Sequence, residues 1–479
     1  MIGVLHILAQ ALGGLATALL VPAAIALASE QRVAENFLVV AGLVGFMSGA
    51  IYFALRGRQG RVSRPAGLVL VVTVWVVLPP IAALPIMLST GTDYLASVFE
   101  AASGFTTTGA TVFSSLADVG PAVIFWRAEL QWLGGLATLF TFVMVLAPAE
   151  LGGLSSRGLA LIGAFGEAGP GRVVQVMREI GIVYLTVTGL CIILLFIGGV
   201  PTFDAICLAF STVSTGGFMP ADGNLSAYGS RFAEFVVPVF MLVGATSITW
   251  HRMLVERRRV LLAEHRESYW VIGVALAAGV LYAFEFAGSE GIVAALGEGL
   301  FTGISIVTTT GFETRPAGLA ALPDTLVMLL ALGGAATLST AGGIKFYRIG
   351  AMLVQSAHEL KRLIFPHIVR NTRFGSQPYD LGLMKAIWAN LALSLAVIMG
   401  AALILSLSLP TFDAAFIATI SAFSGIGPLY SPEWPINTDW PSYAAFDGLS
   451  KLVMVATMIL GRIEVIAFFA AINIAYWRS

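Results

Sequence analysis

Phe99-Glu100-Ala101-Ala102-Ser103-Gly104-Phe105-Thr106-Thr107-Thr108-Gly109 returns farther along as Phe301-Thr302-Gly303-Ile304-Ser305-Ile306-Val307-Thr308-Thr309-Thr310-Gly311, with the Phe, the Ser, the Thr triplet and the Gly at the same offsets. Each copy ends an apolar stretch too short to cross a bilayer, 94–106 in the first and 293–308 in the third of four units. Each stretch stands between two long apolar runs, 67–89 and 120–147 around the first and 269–287 and 323–350 around the other. A hydrocarbon core of roughly 30 Å takes about 20 helical residues, so the short stretches read as re-entrant half-helices and the long ones as spans.

The same order occurs twice more. One unit runs 178–199, 203–213, Ser214-Thr215-Gly216-Gly217 and 232–250; another runs 384–408, 412–424, Gly425-Ile426-Gly427-Pro428 and 446–475. Ser421 precedes Gly427 by six positions, as Ser103 and Ser305 precede their glycines. Two further apolar runs, 3–28 and 36–56, joined by Ser29-Glu30-Gln31-Arg32, form an N-terminal hairpin. The expected fold is an all-α integral membrane protein with ten transmembrane helices and four re-entrant pore half-helices around one pore. Its limits are 1–64 for the hairpin, then 65–150, 151–256, 257–372 and 373–479 for the four repeats.

Composition demands lipid as the solvent. Of the 479 residues 58 % are hydrophobic and 11 % charged, against about a quarter charged in soluble domains. The first apolar run begins at residue 3 without a basic segment before it, so it reads as a retained helix and not a signal peptide. Cys191 and Cys207 lie in apolar stretches and read as packing residues. A formal net charge of -1 without a Lys/Arg block gives no reason to expect nucleic acid. Basic residues fix the orientation instead. With both termini cytoplasmic, the inner segments carry Arg56, Arg58, Arg61, Arg64, Arg157, Arg172, Arg178, Arg252, Arg257, Arg258, Arg259, Arg266, Lys345, Arg348, Lys361, Arg362, Arg370, Arg373, Lys385 and Arg478. The outer side keeps Arg32, Arg127, Arg231, Arg315 and Lys451.

Non-helical backbone at membrane depth persists where protein or water satisfies its N–H and C=O groups, so four short segments ending in Gly imply one shared aqueous cavity. A dehydrated cation needs oxygen ligands, and main-chain carbonyls with Thr hydroxyls supply them without a fixed negative charge to trap it. The candidate ligands are Thr107-Thr108-Gly109-Ala110, Ser214-Thr215-Gly216-Gly217, Thr309-Thr310-Gly311-Phe312 and Gly425-Ile426-Gly427-Pro428. No carboxylate occupies these tetrads, which favours a monovalent over a divalent ion.

Two features interrupt the later apolar runs. Gly333-Gly334-Ala335-Ala336-Thr337-Leu338-Ser339-Thr340-Ala341-Gly342-Gly343, followed by Lys345, frees backbone inside 323–350, although tight small-residue helix packing would use similar residues. Arg462 stands deep in 446–475, where a charge costs about 2.5–3.5 kcal/mol on insertion scales, so it must face water or a partner. Glu464, two residues on, lies on another helical face.

The motifs resemble the Trk/Ktr/HKT superfamily of potassium transporters, and the layout with an extra N-terminal helix pair is similar to its bacterial TrkH branch. The resemblance rests on Phe99-Glu100 through Gly109, Trp126-Arg127 with Gln131-Trp132-Leu133-Gly134-Gly135, Ser214-Thr215-Gly216-Gly217-Phe218, Thr308 to Phe312, Gly342-Gly343-Ile344-Lys345 and Gly461-Arg462-Ile463-Glu464, and covers essentially the whole chain. It implies potassium selectivity from one glycine in each loop (Gly109, Gly216, Gly311, Gly427), where serine at the first marks sodium-preferring plant relatives. The fourth loop departs from the family's Asn-bearing form in carrying Ser424-Gly425-Ile426-Gly427-Pro428. The resemblance further implies that the Gly333–Gly343 segment obstructs the pore below the filter, with Lys345 at its inner boundary and Arg462 as an electrostatic barrier. It also implies potassium as the ion, a homodimer in the bacterial inner membrane, and a cytoplasmic nucleotide-binding regulatory subunit of TrkA type.

Glu100, Asp204, Glu298 and Asp413 lie near the outer half-helices, either as helix-terminal partners or as cation attractors at the mouth. The linker with Glu256-Arg257-Arg258-Arg259 and Glu264-His265-Arg266-Glu267 reads as a solvated cytoplasmic segment. No HExxH, GxSxG, Walker or dinucleotide fingerprint is present, and the five histidines form no short-spaced ligand set, so neither an enzyme nor nucleotide binding by this chain is expected. Passive conduction and sodium- or proton-coupled potassium symport both remain open at this stage.

Overall fold

A computed structural model describes residues 2–29, 31–58, 63–143, 170–255, 266–288, 291–365, 373–374, 377–378, 381–430 and 440–473. The end of the 120–147 run, the linker 256–265 and Arg61, Arg157, Arg370 and Arg478 lie outside them. The N-terminal pair comprises α1 (Ile2–Ala18), α2 (Leu20–Leu27) and α3 (Gln31–Ala54). Then come α4 (Arg64–Thr90), α5 (Tyr94–Phe105) and α6 (Pro121–Thr141), followed by α7 (Pro170–Ile197), α8 (Thr202–Val213), α9 (Arg231–Ala245) and α10 (Ile248–Val255). The third group is α11 (Arg266–Phe286), α12 (Ile292–Val307), α13 (Asp324–Gly333) and α14 (Phe346–Ile364). The last is α15 (Leu381–Leu405), α16 (Phe412–Ser424), α17 (Gly448–Ile463) and α18 (Val465–Ile472). A two-residue antiparallel ladder pairs 373–374 with 377–378.

Among the described residues, six helical stretches are long and apolar enough to cross a membrane: Ile2–Leu27, Gln31–Ala54, Pro65–Thr90, Gln175–Ile197, Arg266–Phe286 and Gly382–Leu405. The expected runs 232–250 and 446–475 are each bent, by 103° between α9 and α10 and by 98° between α17 and α18. Counting each bent pair as one span gives eight. The run 323–350 is no continuous helix: α13 stops at Gly333, irregular backbone follows, and α14 starts afresh at Phe346. The four short apolar helices α5, α8, α12 and α16 lie within one residue of their expected limits.

Small residues bring helices together where lipid offers no hydrophobic drive. A Cβ added at Gly303 would lie 2.1 Å from Gly279 N, and one at Gly299 2.4 Å from Ala283 N, so α11 and α12 pack backbone to backbone. Likewise a Cβ at Gly134 would lie 1.8 Å from Phe105 O, seating α6 on the end of α5. The large side chains Trp75, Trp126, Phe99 and Tyr282 fill the interior, and Trp126 Nε1 donates to Ala82 O at 3.0 Å. Apolar residues such as Phe46, Phe53, Ile193, Phe196 and Phe284 point outward, as a lipid-facing belt requires.

Candidate functional site

Each short helix ends in the same way. Thr108 N donates to Ser103 O at 2.8 Å, Gly216 N to Ser211 O at 2.7 Å, Thr310 N to Ser305 O at 3.0 Å and Ile426 N to Ser421 O at 2.9 Å. The residue just before each donor adopts the left-handed conformation: Thr107 (φ 52°), Thr215 (φ 54°), Thr309 (φ 59°) and Gly425 (φ 71°). A β-branched residue there costs about 1–3 kcal/mol and persists where the surroundings fix it, which marks functional backbone.

This register shows which residues of the second loop stand level with the first. Thr107 corresponds to Thr215 and not to Ser214, so the loop is Thr215-Gly216-Gly217-Phe218. Gly217 (φ 83°) takes the conformation of Gly109 (φ 83°) and Gly311 (φ 81°), while Gly216 stands level with Thr108 and Thr310. Ser214 instead caps α8, its hydroxyl donating back to Phe210 O at 2.7 Å.

The four loops close on one another in chain order. A Cβ at Gly109 would lie 2.3 Å from Gly216 O, one at Gly217 2.2 Å from Thr310 O, and one at Gly311 2.9 Å from Pro428 Cδ. One at Gly427 would lie 2.0 Å from Ala110 N, returning to the first loop. Gly427 N donates to Thr108 O at 2.5 Å across the same seam. Glycine is required here because neighbouring backbones leave no room for a side chain. Thr107, Thr108, Ala110, Ser214, Thr215, Thr309, Thr310, Phe312 and Ile426 are all buried.

Side chains outside the loops hold the ring in shape. Glu100 accepts from Arg127 Nε at 2.6 Å, Val112 N at 2.8 Å and Thr111 Oγ1 at 3.0 Å, fastening the first loop. The Arg127 guanidinium lies 4.1 Å from the centre of the Phe218 ring, and Gln131, one turn along α6, donates to Gly216 O at 2.7 Å. Ser305 Oγ donates to Phe312 O at 2.7 Å, and the Tyr443 hydroxyl donates to Gly427 O at 2.9 Å. Glu100 is therefore a buried brace, neither a mouth attractor nor a cap, and Glu298 pairs with Arg315 at 3.1 Å. At the loops' outer side Asp222 accepts from Ser115 Oγ and Leu116 N, both at 2.7 Å. Desolvation pushes the Asp222 carboxyl upward, but these hydrogen bonds outweigh it and hold its pKa below the usual carboxylate value.

Beneath the left-handed residues lies the glycine-rich segment. Its ends are pinched together: a Cβ at Gly334 would meet Gly342 O at 2.4 Å and one at Gly343 would meet Gly334 Cα at 2.5 Å. Ile344 N donates to Leu332 O at 2.9 Å, closing a compact loop on Gly333. It touches three of the four loops directly. Gly342 N donates to Thr309 Oγ1 at 2.8 Å, Thr340 Oγ1 lies 3.3 Å from Thr215 Oγ1, and a Cβ at Gly342 would strike Ser424 O at 1.9 Å. Ser339 Oγ donates to Ala336 O, Thr337 bonds Glu267, and the Lys345 ammonium donates to Ala341 O.

Arg462 completes the contact with the first loop. Its guanidinium donates to Thr106 O and Thr107 Oγ1, to Thr107 O at 3.2 Å, and to Thr340 O at 2.5 Å. It is thus a bridge between the first loop and the glycine-rich segment, with its donors on three backbone oxygens and the Thr107 hydroxyl and not on Glu464. Glu464 sits at the α17–α18 break (φ 66°) and pairs with Arg348 at 2.7 Å. Sequence reasoning singled out Glu100, Arg127 and Gln131 as motif residues but not as braces, and read Glu267 only as part of a solvated linker. Their one signal was polar side chains at apolar helix positions.

Among proteins of known sequence and structure, a family model described as TrkH, cation transport protein, matches residues 43–268 and 291–475. The Trk system potassium uptake protein TrkH of Salmonella typhimurium is 26 % identical over 96 % of this chain and 96 % of its own. The protein of the same name from Halomonas elongata is 27 % identical over 96 % and 95 %. The crystal structure of the potassium transporter TrkH from Vibrio parahaemolyticus aligns with a TM-score of 0.86 at 25 % identity, covering 100 % of this chain and 99 % of that one. The chain belongs to the TrkH family of cation transport proteins, multi-pass membrane proteins and not enzymes.

Proposed function

We propose that the chain takes up potassium across the bacterial inner membrane through a single gated pore at the centre of the four loops. The observation that carries this reading is the closed ring: four glycine-bearing loops, each abutting the next, with no carboxylate in any of them. Carbonyls and threonine hydroxyls replace the hydration shell of a monovalent ion without binding it too tightly to leave. The relatives' names, potassium uptake protein and potassium transporter, agree with that ion.

In this reading ten spans and four pore half-helices form four repeats, at 65–150, 151–256, 257–372 and 373–479, behind the 1–64 hairpin, with both termini cytoplasmic. The filter oxygens come from Thr107–Ala110, Thr215–Phe218, Thr309–Phe312 and Gly425–Pro428. The glycine-rich loop and Arg462 shut the path below them. A homodimer and a nucleotide-binding partner of TrkA type complete the assembly, which this chain would serve without binding nucleotide itself.

Purified protein in liposomes tests the reading. Rubidium should enter down its gradient with neither nucleotide nor a second ion present, faster than sodium does. Strict dependence on a sodium or proton gradient at low and high potassium would replace the pore with coupled symport.

A further inference from the structure

Glu267 is the second residue of α11 and is 6 % exposed. Its Oε1 accepts from Thr337 N at 2.6 Å, from Thr337 Oγ1 at 2.9 Å and from Tyr347 N at 3.1 Å. Thr337 lies within the glycine-rich loop, and Tyr347 is the second residue of α14, where the chain leaves that loop. One carboxylate therefore ties the loop's body to its exit. The neighbouring residue Ser268 accepts from Ser247 N at 3.3 Å, at the break between α9 and α10. That break supplies the backbone on which the loop lies: Ala336 N donates to Ala245 O, Thr340 N to Gly244 O, and Ile248 N to Leu338 O.

A buried carboxylate is costly unless hydrogen bonds compensate it, and bonds to a charged acceptor are about twice as strong as neutral ones. Two of the three donors compensating Glu267 belong to the loop, both from Thr337, and the third stands at its exit; they converge on one oxygen in the shape the loop has here. The free energy of that compensation therefore favours this shape over one in which the loop has moved aside.

We propose that Glu267 is the positioning residue that holds the glycine-rich loop across the path. The inference rests on the gating role given above to that loop. Glu267 acts through Thr337 and Tyr347, and leaves the filter ring to its own braces.

The test is rubidium flux into liposomes carrying the full-length chain, with Arg462→Ala measured beside it. Glu267→Ala should raise basal flux about tenfold, the change expected when a charged hydrogen-bond acceptor peculiar to the shut state is lost. Glu267→Gln keeps the volume and one acceptor oxygen but not the charge, and should fall between Ala and wild type. The potassium-to-sodium flux ratio should stay at the wild-type value in both. Thr337→Val should leak by itself and add little to Glu267→Ala, since the hydroxyl bond it removes is one of the three that Glu267→Ala removes. A merely structural carboxylate would lower folded yield and flux together. Should Glu267→Ala misfold, the Gln variant decides. If the Glu267 variants conduct no better than wild type while Arg462→Ala leaks, the inference is overturned and the gate stands. If Arg462→Ala and a shortened loop stay shut as well, the gate reading falls and the inference with it. A changed ion ratio in Glu267→Gln also overturns it, because the residue would then act on the filter.

Discussion

Three threonines held in left-handed backbone at equivalent helix ends are the feature on which the proposed ion discrimination rests at the level of single residues. Each turns a carbonyl out of its helix, and the glycine two positions later lets the next loop approach. Gly109→Ser would drive a side chain toward Gly216 O, so sodium permeability should rise relative to potassium. Losing one ligand worth about 1.4 kcal/mol in one ion's favour is about tenfold in that ratio. The second loop offers a sharper comparison. Gly217→Ala would strike the Thr310 carbonyl from a left-handed φ, whereas Gly216→Ala would meet the Gln131 side chain at 2.4 Å. Flux ratios should therefore fall further in Gly217→Ala; the reverse order would restore the register with Ser214 as the first ligand. That register was not legible in the sequence because Ser214-Thr215-Gly216-Gly217 offers two hydroxyls and two glycines in a row. The first and third loops, with a Thr triplet and a lone Gly, left no such choice.

Element breaks divide into those that composition announces and those it hides. The glycine pairs at 333–334 and 342–343 announced the first kind, and the structure shows where a side chain is excluded: Gly334 and Gly343 lie in contact with each other, so a side chain at either would open the loop. The breaks at Thr246 and Glu464 were hidden, since apolar residues resume beyond each polar stretch and no glycine pair marks the bend. Both serve the loop, the first by freeing backbone at 244–248 to pair with it, the second by turning α18 away below Arg462. The short helices were legible to within a residue because length against bilayer thickness is a hard constraint. Their braces were not, since Arg127 reads equally as an outer-surface charge. At this scale Arg462→Ala, which removes the link from Thr106 and Thr107 to Thr340, should raise basal flux by about tenfold. Shortening the loop should raise it too, and the two changes should combine less than additively because they act on one barrier. Arg462→Lys keeps the charge without the planar fork and should leak less than Ala. An Arg462→Ala protein that folds and stays shut would make the arginine structural and leave the barrier to the loop.

Across the whole molecule the ring lies against the glycine-rich segment that is proposed to obstruct it, and the direction of the proposed uptake depends on which end faces the cytoplasm. The basic residues predict that end, with twenty of the 26 Lys and Arg on one side. The outer loops, where Asp222 ties the first and second units together, should face outward, and α14, with Lys361 and Arg362 in its last turn, should face the cytoplasm. Thiol labelling of intact cells can test this cleanly. The two native cysteines, Cys191 and Cys207, are buried, and replacing both by Ala removes the remaining background. Ser226→Cys, exposed in the loop before α9, should then react with a membrane-impermeant maleimide added outside. Ser356→Cys, exposed on α14, should react only after the membrane is opened. The reverse pattern would turn the molecule over. The filter would then be the last barrier an entering ion meets and the arginine bridge the first, which is incompatible with a gate worked from the cytoplasm. Labelling of both sites in intact cells would place α14 outside too, and remove the ten-span arrangement whatever the flux assays show.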